Sequence, residues 1–116
     1  MSEEVVLSHV RSYSFGVAGK ALNQARTNHW VIDSANNPET VSTVESFLGG
    51  ISACGVTMLD GIARQEGLPL QQVEVNIEGA RPAADPNSFS QINMRFLFKG
   101  LSRSEAERLV DVYQHR

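Results

Sequence analysis

Cys54 is the one thiol in this chain of 116 residues, set in the run Val44-Glu45-Ser46-Phe47-Leu48-Gly49-Gly50-Ile51-Ser52-Ala53-Cys54-Gly55. A lone cysteine leaves no partner for a disulfide within these residues. Thiolate chemistry stays open, because it depends on access and a nearby positive group rather than on cysteine number. Cysteine is also commonly buried as a small hydrophobe, so two readings of Cys54 stand side by side, nucleophile and core filler. The residue lies well past the start of its helix, outside the strong part of the dipole field, so activation has to come from a cation supplied by the fold. Arg11, Arg26 and Arg95 are the cations away from the helices. A guanidinium stabilises a thiolate and donates directional hydrogen bonds to a peroxide or a carboxylate. Arg26, in Ala25-Arg26-Thr27-Asn28-His29, leads into the strand that precedes the cysteine helix; the plainer alternative is a solvated arginine at a strand start. Glu45 has two competing jobs, partner of Ser42 in a helix cap or the carboxylate that orients Arg26. About two and a half turns separate it from Cys54, so direct base action on the thiol is a poor reading.

Other chemistries find little support. His9, His29 and His115 are dispersed, and no paired cysteine spacing accompanies them, so no metal or cofactor is expected. Trp30 and Phe47 read as core or pocket-lining groups, since no basic stripe surrounds them. Gly49-Gly50 falls inside the helix rather than in a phosphate-cradling loop. A net charge of -3 offers no general attraction for nucleic acid or acidic membranes. Glu45, Asp60 and Arg64 punctuate the longest apolar region, which argues against a membrane span. The start, Met1-Ser2-Glu3-Glu4, is acidic where a secretory signal would be basic, so the cytoplasm is the expected location.

The elements that must position Cys54 follow from periodicity. Val5 to Val10 and Ser12 to Val17 contain short alternating stretches, with Gly16 and Gly19 suited to a turn, and His29 to Asp33 offers another strand. Asn36-Asn37-Pro38-Glu39 reads as a loop. Ser42 and Glu45 have capping-box spacing. Val44, Phe47, Leu48, Ile51, Cys54 and Met58 then recur at helical intervals, with Val56, Leu59 and Ile62 widening the apolar surface, which predicts a helix enclosed on several sides. Gly67 and Pro69 stop it. Val73, Val75 and Ile77 alternate with polar residues, as do Ile92, Met94, Phe96 and Phe98, giving two strands. Ser102 and Glu105 form a second capping box before a helix carrying Ala106, Leu109, Val110 and Tyr113. Strands, long helix, two strands and helix pack most economically as a mostly antiparallel α+β fold in one domain, residues 1-116.

The ordered combination from about Ala25 to Arg116 resembles the OsmC-like/organic hydroperoxide resistance family. The segment Val44 to Cys54, the strand opening Gln72-Val73-Glu74-Val75 and the helix Leu101 to Val110 carry the likeness. The resemblance implies an α+β fold with a long central cysteine-bearing helix, an intertwined homodimer, and thiol-dependent reduction of organic hydroperoxides to alcohols. Cys54 would be the peroxidatic nucleophile, Arg26 its activating cation and Glu45 the carboxylate partner of that arginine. The peroxide-active subgroup carries its glutamate one position earlier, where this chain has Val44. Family enzymes resolve the cysteine sulfenic acid with a second cysteine after the later helix, and the sequence ends at Arg116 where that motif is expected, which leaves open a domain given without its C-terminal resolving-cysteine segment. An external dithiol is the expected reductant here. The alternative is a non-enzymatic small-molecule-binding or structural homodimer of the same fold.

Overall fold

A computed structural model describes residues 4–115. Its element order is β1 (Arg11–Ser14), β2 (Lys20–Ala25), β3 (Asn28–Asp33), α1 (Thr43–Gln65), β4 (Gln72–Ala80), β5 (Gln91–Lys99) and α2 (Arg103–Gln114). The strands form two separate antiparallel sheets, one of order β1-β2-β3 and one of β4-β5. The chain divides into two compact units, with the boundary between Ser46 and Phe47 near the start of α1.

In the first unit β2 is the central strand. It was not expected from the sequence, because Lys-Ala-Leu-Asn-Gln-Ala has neither strict alternation nor β-branched residues. Val5 to Val10, by contrast, forms no strand; its alternation finds no neighbour to pair with, and Val5, Val6 and Leu7 are 77%, 91% and 86% exposed. Buried Asn23 at the middle of β2 is fully satisfied. Its amide donates to the carbonyls of Trp30 (3.0 Å) and Ala21 (3.2 Å) while its carbonyl accepts from Ser12 Oγ at 2.6 Å. A buried amide so paired avoids the cost of an unmet polar group.

The end of β3 is held by charge. Lys20 and Asp33 are direct cross-strand partners, and the Lys20 ammonium donates to Asp33 Oδ2 at 2.6 Å and to Glu39 Oε1 at 3.1 Å. The same carboxylate accepts the backbone amides of Ser34 (2.9 Å), Glu39 (2.8 Å) and Thr40 (3.3 Å), fastening the loop before α1. The Lys20 ammonium and then the Glu39 amide hold the Asp33 carboxyl well below the usual carboxylate range. Asp33 thus stays ionised in the folded chain where an unfolded chain has taken up a proton. Its contribution is complete above about pH 4, the ordinary aspartate value, and is lost as pH falls from there through the depressed folded value. Asp33→Asn should lower the urea midpoint at neutral pH, and the gap to wild type should narrow below about pH 4. A gap of constant size from neutral pH into strong acid would contradict this linkage.

The second unit is built around α1. Leu59, Ile62 and Ala63 of the helix bury against Val73 of β4 and Leu109 of α2, with Val56, Val75, Phe96, Phe98, Val112 and Tyr113 packed around them. The β4-β5 register, Val73 opposite Phe98 and Val75 opposite Phe96, keeps one face of the hairpin apolar, as the period-2 pattern requires. Both expected capping boxes are present: Ser42 Oγ accepts the Glu45 amide and Glu45 Oε1 the Ser42 amide, and Ser102 and Glu105 repeat the exchange. Each cap contributes about 1 kcal/mol.

The long helix differs from expectation on its outer side. Phe47, Gly49, Gly50, Ala53, Cys54, Thr57 and Gly61 are exposed, so α1 is covered on one flank rather than on several. By length and composition alone this 23-residue helix is apolar enough to cross a membrane, the charges at Glu45, Asp60 and Arg64 notwithstanding. Its buried flank, however, forms the core of the second unit.

Candidate functional site

Cys54 lies about three turns into α1 and is exposed. The core-filler reading therefore does not describe it in this chain. Its sequence neighbour Gly55 takes the buried position instead. A side chain at Gly55 would come within 3.3 Å of the Tyr113 hydroxyl and 3.6 Å of the Met94 methyl. The glycine lets α2 and β5 close against α1 and turns the adjacent thiol outward.

Around the thiol the helix surface is made of small groups. Gly50 is one turn earlier, Thr57 and Gly61 are later on the same flank, and Gly49, Gly50 and Gly61 have nothing within 4 Å of where a Cβ would stand. Met58, at i+4, sets its thioether sulfur 3.6 Å from Cys54 Sγ, close enough to accept the S–H. At the N-terminal end of the stripe Phe47 stacks on Phe89 of the β4-β5 loop, with centroids 5.7 Å apart and planes 15° from parallel. Gly79 makes room for this, since a Cβ there would fall 2.5 Å from the Phe89 ring. Phe47 is thus a stacked surface aromatic rather than a core residue, and Trp30 is 39% exposed.

Arg26 is placed in the first unit, at the first position of the two-residue turn that joins β2 to β3. Its φ of 55° is left-handed, the sign that primed hairpin turns demand at this position and that glycine meets at least cost. The Asn28 side-chain amide, through Nδ2, donates to Ala25 O across the turn at 3.3 Å. The guanidinium itself is exposed and makes no ion pair among the described residues. Glu45, also in the first unit, is exposed and engaged by the Ser42 amide at 2.9 Å, the geometry of the cap. Of the other cations, Arg11 lies over the Tyr13 ring, 4.2 Å from its centroid, and Arg95 stands opposite Asn76 on the polar face of the β4-β5 hairpin.

The Lys20–Asp33–Glu39 cluster escaped sequence reading. Lys20 and Asp33, thirteen positions apart, become a direct pair only once the β2-β3 register is known, and β2 itself carried no strand signal. A shallow concavity of about 600 Å³ beside this cluster, lined by Gly19, Lys20, Ile32 and Thr43, belongs to the first unit. A groove of about 550 Å³ between β5 and α2, floored by Phe96, Phe98 and Val110, belongs to the second. Neither includes Cys54. Among the described residues no group of three or more His, Cys, Asp or Glu side chains converges as a metal site.

The fold has counterparts among solved structures. A crystal structure of an OsmC-like protein from Mycoplasma pneumoniae superposes over 96% of this chain and 82% of its own, with a TM-score of 0.81 at 14% identity. A structural-genomics structure matches over 90% of this chain and 79% of its own, with a TM-score of 0.77 at 19% identity. An OsmC-like protein of unknown function from Vibrio cholerae matches over 93% and 87%, with a TM-score of 0.72 at 12% identity. No protein-family model matches the chain, and no curated protein matches it in sequence. At these identities the likeness establishes the fold.

Proposed function

We propose that this chain, which has the OsmC-like fold, is a cytoplasmic thiol-dependent reductase of organic hydroperoxides. The observation that carries the reading is the position of Cys54: an exposed thiol on the long helix of that fold, with Gly50, Thr57 and Gly61 on the same flank. The Cys54 thiolate attacks the terminal peroxide oxygen, the O–O bond breaks, and the alkoxide takes a proton and leaves as the alcohol. Sulfur is oxidised by two electrons to the sulfenic acid. An external dithiol then condenses with the sulfenic acid, releasing water, and its second thiol displaces Cys54 from the mixed disulfide. In this cycle Arg26 stabilises the thiolate and the developing negative charge on oxygen, and Glu45 is the carboxylate that orients the guanidinium. The working unit is a homodimer. Support for a second copy comes from the amount of exposed apolar surface, namely the α1 stripe with Phe47 and the segment holding Val5, Val6 and Leu7.

The test is to add one equivalent of cumene hydroperoxide to the reduced protein and follow Cys54 by intact mass with a sulfenic-acid trap. A trapped adduct, and turnover on adding dithiothreitol, are the expected results. An accessible, folded protein that takes up no oxygen would reject the reading. It would favour the non-enzymatic binding or structural homodimer, which is supported by Glu45 serving the α1 cap and by Val44 standing where active relatives are expected to carry glutamate.

Arg26 offers a separate check. Glycine accepts a φ of 55° without the Cβ clash, so Arg26→Gly should keep or raise stability by up to about 1 kcal/mol. The same substitution should lower the rate of peroxide reduction at least roughly tenfold, because one charge-stabilising donor is gone. Stability and rate moving in opposite directions is the expected signature in paired urea melts and peroxide assays. An unaltered rate would remove Arg26 from the site.

A further inference from the structure

The contact between Cys54 Sγ and Met58 Sδ at 3.6 Å sits on the same flank of α1 as the proposed reaction, yet that reaction gives Met58 no part. We propose that Met58 is the internal acceptor of the oxidising equivalent formed at Cys54, returning the cysteine to the thiol when no external dithiol arrives. The inference rests on the reductase reading, since it begins from the Cys54 sulfenic acid.

The chemistry follows from the two sulfurs. In a sulfenic acid the cysteine sulfur is electrophilic, and its usual captor is a thiol. Here the 116 residues hold one cysteine, and among the described residues the sulfur in contact with it is a thioether one helical turn away. Residues at i and i+4 share a face, and methionine, with three rotatable bonds, moves its sulfur without disturbing the backbone. Met58 Sδ attacks Cys54 Sγ, the S–O bond breaks, and hydroxide leaves, giving a cysteinyl sulfonium. Water then attacks the sulfonium sulfur, the S–S bond breaks toward Cys54, and the protons released neutralise the hydroxide and the thiolate. The net change is sulfenic acid plus thioether to thiol plus sulfoxide. Cys54 is reduced by two electrons and Met58 is oxidised by two. Cys54 is exposed, so water reaches the intermediate. The consequence is protective: a sulfenic acid drained to a reversible sulfoxide does not advance to the irreversible sulfinic acid.

The test uses the full chain with one equivalent of cumene hydroperoxide and no added thiol, read by peptide mass spectrometry at Cys54, Met58 and Met94, with a 1,3-dione trap added at intervals. Met58 sulfoxide should form at least roughly tenfold more in wild type than in Cys54→Ser, with Met94 oxidised equally in both. Met58→Leu should prolong the trappable sulfenic acid and, when a second equivalent of cumene hydroperoxide is added, raise the sulfinic acid. Equal Met58 oxidation in wild type and Cys54→Ser would mean direct attack by peroxide and would overturn the relay. A persistent sulfenic acid at Cys54 beside unmodified Met58 would also overturn it while leaving the reductase intact. Absence of oxidation at both sulfurs would reject the reductase reading and the relay together.

Discussion

Cys54→Ser should abolish peroxide turnover, a fall of about a thousandfold or more in the rate of hydroperoxide loss with dithiothreitol as reductant. Serine is nearly isosteric, but its hydroxyl is not ionised at neutral pH and is a far weaker nucleophile toward oxygen. The substitution should leave the fold in place, because the thiol is exposed and its contact is with the thioether of Met58 rather than with the Leu59–Leu109 core. Equal urea midpoints for wild type and variant would show that chemistry alone has been removed. Undiminished peroxide loss in the variant would take the reaction away from Cys54 and with it the functional proposal.

The second large effect is structural. Leu59→Ala should destabilise the protein by about 3 kcal/mol, within the usual range of about 2–5 for a buried leucine. Leu59 is 0% exposed and sits where α1 meets Val73 and Leu109, so its removal loses transfer free energy and opens a cavity between three elements. Leu97→Ala is the matched control: this leucine is 44% exposed on the polar face of β5 and should cost well under the buried one. The measurement is a pair of urea melts at one protein concentration, since association would otherwise shift both midpoints. Equal losses at the two positions would mean that the core does not lie where α1, β4 and α2 converge.

These two variants separate what α1 does on its two flanks. Leu59, Ile62 and Ala63 hold the second unit together, whereas Cys54 and the glycines around it remain available. Gly55 lies at the join. It accepts the Tyr113 ring on the packed side, and the one-residue offset of about 100° sends the neighbouring thiol elsewhere.

Much of this arrangement was legible in the residues. The two capping boxes fixed where both helices begin, and the alternation from Val73 to Ile77 and from Ile92 to Phe98 identified the β4-β5 hairpin with its apolar face. Local hydrogen bonding and side-chain period set these features, so a linear reading reaches them. The first unit was harder. Val5 to Val10 has the pattern of a strand and no partner, while Lys20 to Ala25 lacks the pattern and is the central strand, because pairing with β1 and β3 and the satisfied amide of Asn23 outweigh weak propensity.

The sequence by itself determined that one thiol stands among small residues on a long helix, with α+β elements around it. Only the tertiary structure decided that this thiol is exposed, that Arg26 occupies a left-handed hairpin turn, and that Lys20 meets Asp33. The physical reason is the range of the forces. Periodicity and capping act within a few residues, but which flank of a helix is covered, and which charges meet across strands, depends on partners brought from far along the chain.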